Sequence, residues 1–162
     1  MSRDIDTQIQ EFEKSLLKGL LAGAIAGLVA TAAKSVAEKL YPPRVHGEPE
    51  PPSLLAEKLA GHPLDEPAKT VAAETIHWGF GALTGAAYGA LAEFYPAATG
   101  KEGANFGLAL MSLTHEGALP AMGLSAPPEE QSLREHTSEA STHLLYGVVT
   151  EKVRKFVRGL MD

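Results

Sequence analysis

The chain has 162 residues, 44% of them hydrophobic, enough to bury one core in water or in lipid, and its 20 acidic against 14 basic residues give a net charge of −6 with no basic footprint for nucleic acid. With no cysteine, disulfides, thiolate metal sites and cysteine nucleophiles are excluded, so any metal must be held by imidazole and carboxylate. The mean hydropathy of −0.04 averages very apolar segments with very polar connections.

Residues 1–14 are polar and acidic, so the apolar run that follows, about 16–40, reads as a retained helix rather than a cleaved signal segment. It is uncharged from Gly19 to Ala33, carries glycine at every fourth position (Gly19, Gly23, Gly27), and meets Lys34 and Glu38 near its end. The connection 41–71 is polar and proline-rich, with one short amphipathic piece at 53–62 expected to form a helical turn or two on a surface. A second helical stretch, about 72–95, opens with Glu74 and His77. It repeats the glycine spacing at Gly81, Gly85 and Gly89, with Tyr88 in its middle and Glu93 at its end. The third, about 103–124, begins with Gly103 and Gly107, is crossed by His115 and Glu116, and contains Pro120, where a kink is expected. The fourth, about 136–159, is preceded by Glu135 and holds His136, Glu139 and His143 in its first half; Lys152, Arg154, Lys155 and Arg158 follow and are expected to anchor it among headgroups. The other ten of the eleven prolines fall between these stretches, where they are expected to stop helices. The short connections 96–102 and 125–134 favour antiparallel neighbours.

The glycine rows decide between solvents. Each glycine inside a soluble helix costs roughly 1 kcal/mol relative to alanine. In lipid, where backbone hydrogen bonds are kept within the helix, small residues four apart become surfaces on which helices pack closely. The expected fold is all-α: an integral membrane domain spanning 1–162, in which four transmembrane helices form an antiparallel bundle packed by GxxxG ridges. A soluble helical bundle of histidines and carboxylates is the alternative. Basic residues near the spans favour one side eight to five: Arg3, Lys14, Lys18, Lys101, Lys152, Arg154, Lys155 and Arg158 against Lys39, Arg44, Lys58, Lys69 and Arg134. Both termini are therefore expected in the cytoplasm, as a multi-pass protein. Trp78 and Tyr41 fit the outer aromatic belt, Tyr95 and Phe156 the inner one, and His46 and His62 are expected in solvent.

Ionisable groups inside such spans are costly unless paired or facing a wet cavity, which makes them functional candidates. Antiparallel order brings Lys34, Glu38, Glu74, His77, His115 and Glu139 with His143 to one level in the outer half, with Tyr88, Glu93, Glu116, Glu135 and His136 in supporting places. At 100° per residue, His136 and His143 differ by about 20°, Glu139 and His143 by about 40°, and Glu74 and His77 by about 60°. The last is the E-x-x-H spacing of carboxylate-bridged metal bundles. His77, His115, Glu139 and His143 are the candidate metal ligands. The chemistry open to such a cluster is binding of a metal ion, bis-histidine haem ligation, or proton relay, no particular reaction being implied. Hydrogen bonding between helices, with the imidazoles satisfied by glutamates and Lys34, is the purely structural reading. The expected partners are the lipid bilayer and, through the glycine ridges, a second copy or a larger membrane complex.

A set of residues spread over most of the chain resembles a known family. Lys34 and Glu38 are followed by Pro42, Pro43 and Arg44; His77, Tyr88, Glu93 and Pro96 follow in the second helix. His115, Pro120, Met122, Gly123 and Leu124 lie in the third, then Pro127 and Pro128, and Glu135, Glu139 and His143 in the fourth. In these the chain resembles the bacterial inner-membrane proteins related to YagU, a family of unknown function. The resemblance implies an inner-membrane location and several transmembrane helices, and brings no reaction, ligand or partner.

Overall fold

A computed structural model describes residues 2–44 and 48–161; His46 lies outside them, as do the side chains of Arg3 and Lys14. Among the described residues the chain is helical, with no strand. Helix α1 runs Ser2–Leu40, well before the expected start at 16, because no glycine or proline interrupts the polar residues ahead of Gly19. Helix α2, Pro51–Ala60, realises the amphipathic piece as a full helix, closed by Gly61 in the left-handed region at φ 75°. Helix α3 is Glu66–Phe94, again earlier than the expected start at 72. Prolines expected to stop helices instead start α2 and α3: Pro51, Pro52 and Pro67 stand in first turns, where the missing N–H has no intrahelical partner to lose.

A 3-10 segment, Pro96–Gly103, turns the chain into α4, Ala104–Leu113. Instead of a simple proline kink, one π-helical turn follows, Thr114–Ala118, and then the short α5, Leu119–Ala121. The Leu119 N–H donates to the Thr114 carbonyl, five residues back. In that register Pro120 leaves the His115 carbonyl without its helical donor, and Gln131 Nε2 approaches that oxygen at 3.5 Å. Helix α6, Leu133–Gly159, is capped by Ser132, whose side chain accepts from the Glu135 N–H.

Glycine contacts set the arrangement. Gly19 meets Gly89, Gly23 meets Gly85, and Gly27 meets Gly81, so α1 and α3 run antiparallel with their backbones touching. A Cβ on Gly23 would lie 2.9 Å from the Gly89 Cα, and one on Gly85 2.6 Å from the Gly27 Cα. Backbone cannot move aside as a side chain would. The third row packs similarly on α6: a Cβ on Gly107 would lie 2.9 Å from the His143 carbonyl carbon. Gly103 also meets Gly147, but from the α4 N-cap, where its φ of 86° separately favours glycine. Gly147, with no glycine four residues before or after it, is the partner the spacing did not reveal.

Polarity is distributed opposite to that of a water-soluble bundle. The inward face of α6 carries Ser138, Glu139, Thr142, His143, Tyr146, Thr150, Glu151 and Arg154, all buried. Large apolar side chains point outward instead: Leu17 is 57% exposed, Leu83 69% and Leu113 71%. Among the described residues, one helical stretch is long and apolar enough by length and composition to cross a membrane, the 26 residues Ser15–Leu40. The other three expected spans fall short. Glycine, His77, Trp78 and Tyr88 dilute α3, α4 is ten residues long before the π turn, and charges interrupt α6.

Replacing Gly23 or Gly85 by alanine is expected to lower stability by about 1–3 kcal/mol, the cost of overpacking. Gly79→Ala, where an added Cβ meets nothing within 4 Å, is expected to gain up to about 1 kcal/mol of helix propensity. Thermal unfolding of the purified variants checks this, and equal effects at the three positions would contradict the backbone contacts.

Candidate metal centre and its charged surroundings

Two helices build the centre. Residues four apart stack on one face of α6, so Glu139 and His143 point the same way, into the bundle. The π turn after α4 supplies His115, whose ring meets that of His143 edge to face at a centroid distance of 4.9 Å. One Glu139 oxygen, Oε2, lies 3.3 Å from His115 Nε2, 3.4 Å from His143 Nδ1 and 3.4 Å from Lys34 Nζ. His143 Nδ1 is also 2.9 Å from the Glu139 carbonyl, which can only accept, so Nδ1 carries the proton and Nε2 keeps its lone pair. An imidazole oriented by a backbone carbonyl in this way is a common metal ligand. One ligand atom from each of His115, Glu139 and His143 can be chosen so that all lie within 4.8 Å of one another.

Charge surrounds the carboxylate. Lys34 also pairs with Glu38, one turn along α1. Arg44, beyond the end of α1, places Nη2 3.7 Å from Glu139 Oε1 and 3.7 Å from Glu135 Oε1. Glu139 is 1% exposed, yet among the described residues its Oε1 has no hydrogen-bond partner, and neither has the buried Arg44 Nη2. Arg44 and Glu135 border a cavity of about 480 Å³ that Glu48, Leu54 and Arg134 also line.

The structure brings together Lys34, Glu38, His115, Glu135, Glu139 and His143, and holds other expected members apart. His77 Nε2 is 3.0 Å from Ser35 Oγ on α1, and Glu74 accepts from Trp78 Nε1 at 2.8 Å on the exposed side. The E-x-x-H pair is thus engaged elsewhere, and three of the four expected metal ligands form the group. Glu116 and His136 pair at 3.2 Å at the rim, where His136 Nε2 donates to the Pro128 carbonyl at 3.0 Å. The His115 and His143 rings are in edge contact at a centroid distance of 4.9 Å, closer than two axial imidazoles with a macrocycle between them. Outside the bundle, the Leu64 N–H and then Lys69 hold the Glu57 carboxyl below the usual range, tying α2 to the start of α3.

A second buried network lies at the other end. Arg158 donates to both Glu93 oxygens, at 2.7 and 3.2 Å, and Ser15 Oγ donates at 2.6 Å. Tyr88 Oη donates to Glu151 Oε2 at 2.9 Å, and Arg154 grips the same carboxylate at 2.8 and 3.0 Å. Arg154 and Arg158, expected among headgroups, thus turn inward, whereas Lys152 stays outside beside Glu102 at 3.4 Å. Glu151, which the sequence analysis passed over, could have been found by continuing the inward repeat of Glu139, His143 and Gly147 along the helix. Between the networks, Tyr146 Oη donates to the Gly81 carbonyl at 2.9 Å.

Arg154→Met is expected to cost about 3 kcal/mol, because it leaves the buried Glu151 carboxylate to the Tyr88 hydroxyl and the largely exposed Lys155, 3.2 Å away. The double variant Arg154→Met with Glu151→Gln should recover part of it. Unfolding midpoints measure both, and a double variant no better than the single one argues against the pairing.

Comparison with curated proteins finds no match, and comparison with solved structures finds none either. A family described as "Protein of unknown function (DUF1440)" matches residues 28–152, a segment holding Lys34, Arg44, His115, Glu139, His143 and Glu151. That match covers well over half of the chain, which therefore belongs to this family of unknown function.

Proposed function

We propose that this chain is a multi-pass protein of the bacterial inner membrane, with both termini cytoplasmic, that binds a divalent transition-metal ion on His115, Glu139 and His143. The metal reading is carried by one observation: two imidazoles and a carboxylate converge in the interior, and that carboxylate keeps a buried oxygen without a hydrogen-bond partner. Two histidines and one carboxylate suit first-row metals and leave coordination positions open. Support for the membrane placement comes from the outward leucines, the inward polar face of α6, the apolar stretch Ser15–Leu40 and the backbone contacts at glycine. In this reading α1, α3, the α4–α5 segment and α6 cross the bilayer. Lipid, a second copy or a larger complex covers the apolar outer faces.

Proton relay is the second reading, favoured by the run of ionisable groups from Glu38 through Lys34 to Glu139 and the two imidazoles. A purely structural membrane subunit would need neither ion nor proton.

The membrane placement predicts that the protein stays in the pellet after a carbonate wash; release into the supernatant would refute it. For the site, protein purified in mild detergent and stripped of metal is titrated with Co²⁺ or Zn²⁺. One ion per chain is expected, with Glu139→Gln and His143→Ala each weakening binding by more than the roughly 10–100-fold that loss of an outer-shell partner costs. Affinities unchanged in both variants would leave the metal reading without support.

A further inference from the structure

Glu139 already has two cationic neighbours. Lys34 Nζ stands 3.4 Å from Oε2 and Arg44 Nη2 3.7 Å from Oε1. A divalent ion arriving between Glu139 and the imidazoles would add two positive charges beside them. Like charges held close in a poorly solvated interior repel strongly, so one of the residents has to give way. Their surroundings differ. Lys34 lies inside the bundle between two carboxylates, Glu38 and Glu139. Arg44 reaches Glu139 from the edge of the 480 Å³ cavity, and its Nη2 makes no hydrogen bond that would hold it there. The cavity wall supplies the alternative partners, Glu135, already 3.7 Å from Arg44 Nη2, and Glu48.

Resting on the metal reading of this same cluster, we propose that Arg44 is a displaceable counter-ion of Glu139. Without the ion, its guanidinium is shared between Glu139 and Glu135 and neutralises the buried carboxylate. When the ion binds, it takes over that task, and Arg44 swings into the cavity onto Glu135 and Glu48. Metal occupancy is thereby coupled to the position of a charged side chain at the mouth of the bundle. The Glu135 carboxylate favours the ion-bound state by receiving the released guanidinium.

The test uses the full chain in detergent, titrated with Co²⁺. Arg44→Gln removes the competitor and is expected to tighten binding about tenfold or more, the scale on which one neighbouring charge acts. Glu135→Gln removes the acceptor of the displaced guanidinium and is expected to weaken binding several-fold. If wild-type protein takes up no Co²⁺, the metal reading fails and this proposal with it. If the wild type binds and a folded Arg44→Gln variant binds no more tightly, the counter-ion role alone is overturned. Should Arg44→Gln lose its helical circular dichroism, Glu135→Gln decides: weaker binding supports the displacement and unchanged binding overturns it.

Discussion

Where α1 passes α3, nothing but hydrogen separates the two backbones. Gly23 and Gly27 leave room for Gly85 and Gly81: a Cβ added at Gly23, Gly27 or Gly85 would run into main-chain atoms, and one at Gly81 into the Thr31 hydroxyl. Because this contact fixes the helix separation and the register of the antiparallel pair together, it also fixes which residues of α1 and α3 can reach α6. Glu93, which accepts from Ser15 of α1, meets Arg158 at one end, while Lys34 meets Glu139 at the other. The glycine contact of α4 with α6 does the same for His115, bringing it to His143. Ion networks at both ends thus depend on close approach along the middle.

The interior so formed is unusual in its chemistry. Its fully buried side chains include Glu139, Glu151, Thr150 and Ser138, and its buried apolar residues are mainly alanines with Tyr88 and Tyr146. In water such an interior would forgo most of the hydrophobic driving force, because the large aliphatic side chains face outward. In hydrocarbon the balance changes sign: outward leucines are in their preferred solvent, and charges gain most by finding each other inside. Arg154 and Glu151 illustrate the second half of this, since the guanidinium donates two charge-assisted hydrogen bonds to the carboxylate.

Much of this could be read from the sequence, for identifiable reasons. Spacing of four places residues on one helix face, so the rows Gly19–Gly27 and Gly81–Gly89 and the pair Glu139 and His143 were visible without coordinates. What depended on rotation about the helix axis was not. His77 lies on a helix of the expected bundle, but its ring meets Ser35. Arg154 and Arg158 look like headgroup anchors in a list of basic residues, because composition carries no direction. Proline signals were ambiguous in the same way: Pro67 can end one helix or begin another, and only the structure shows that it begins α3. The π turn at Thr114–Ala118 reflects a hydrogen-bond register, which single-residue properties do not encode. Arg44 entered the count of basic residues and the family resemblance but not the expected site, since its partners come from α6, far along the chain.

The inward charges of α6 have a bearing on how the molecule is made. A helix carrying Glu139, Glu151 and Arg154 is a poor substrate for insertion by itself, each such group costing roughly 2.5–3.5 kcal/mol at the centre of a span. Glu151 and Arg154 quench each other within the helix, but the remaining partners from other elements are encoded upstream of it: Lys34, Arg44, Tyr88 and His115 leave the ribosome first. In a bilayer, α6 would arrive last at a groove already lined with its counter-charges, and would enter as a guest of the preceding helices. In that setting the linear order of the chain would double as an assembly order, the charged helix following the partners that neutralise it.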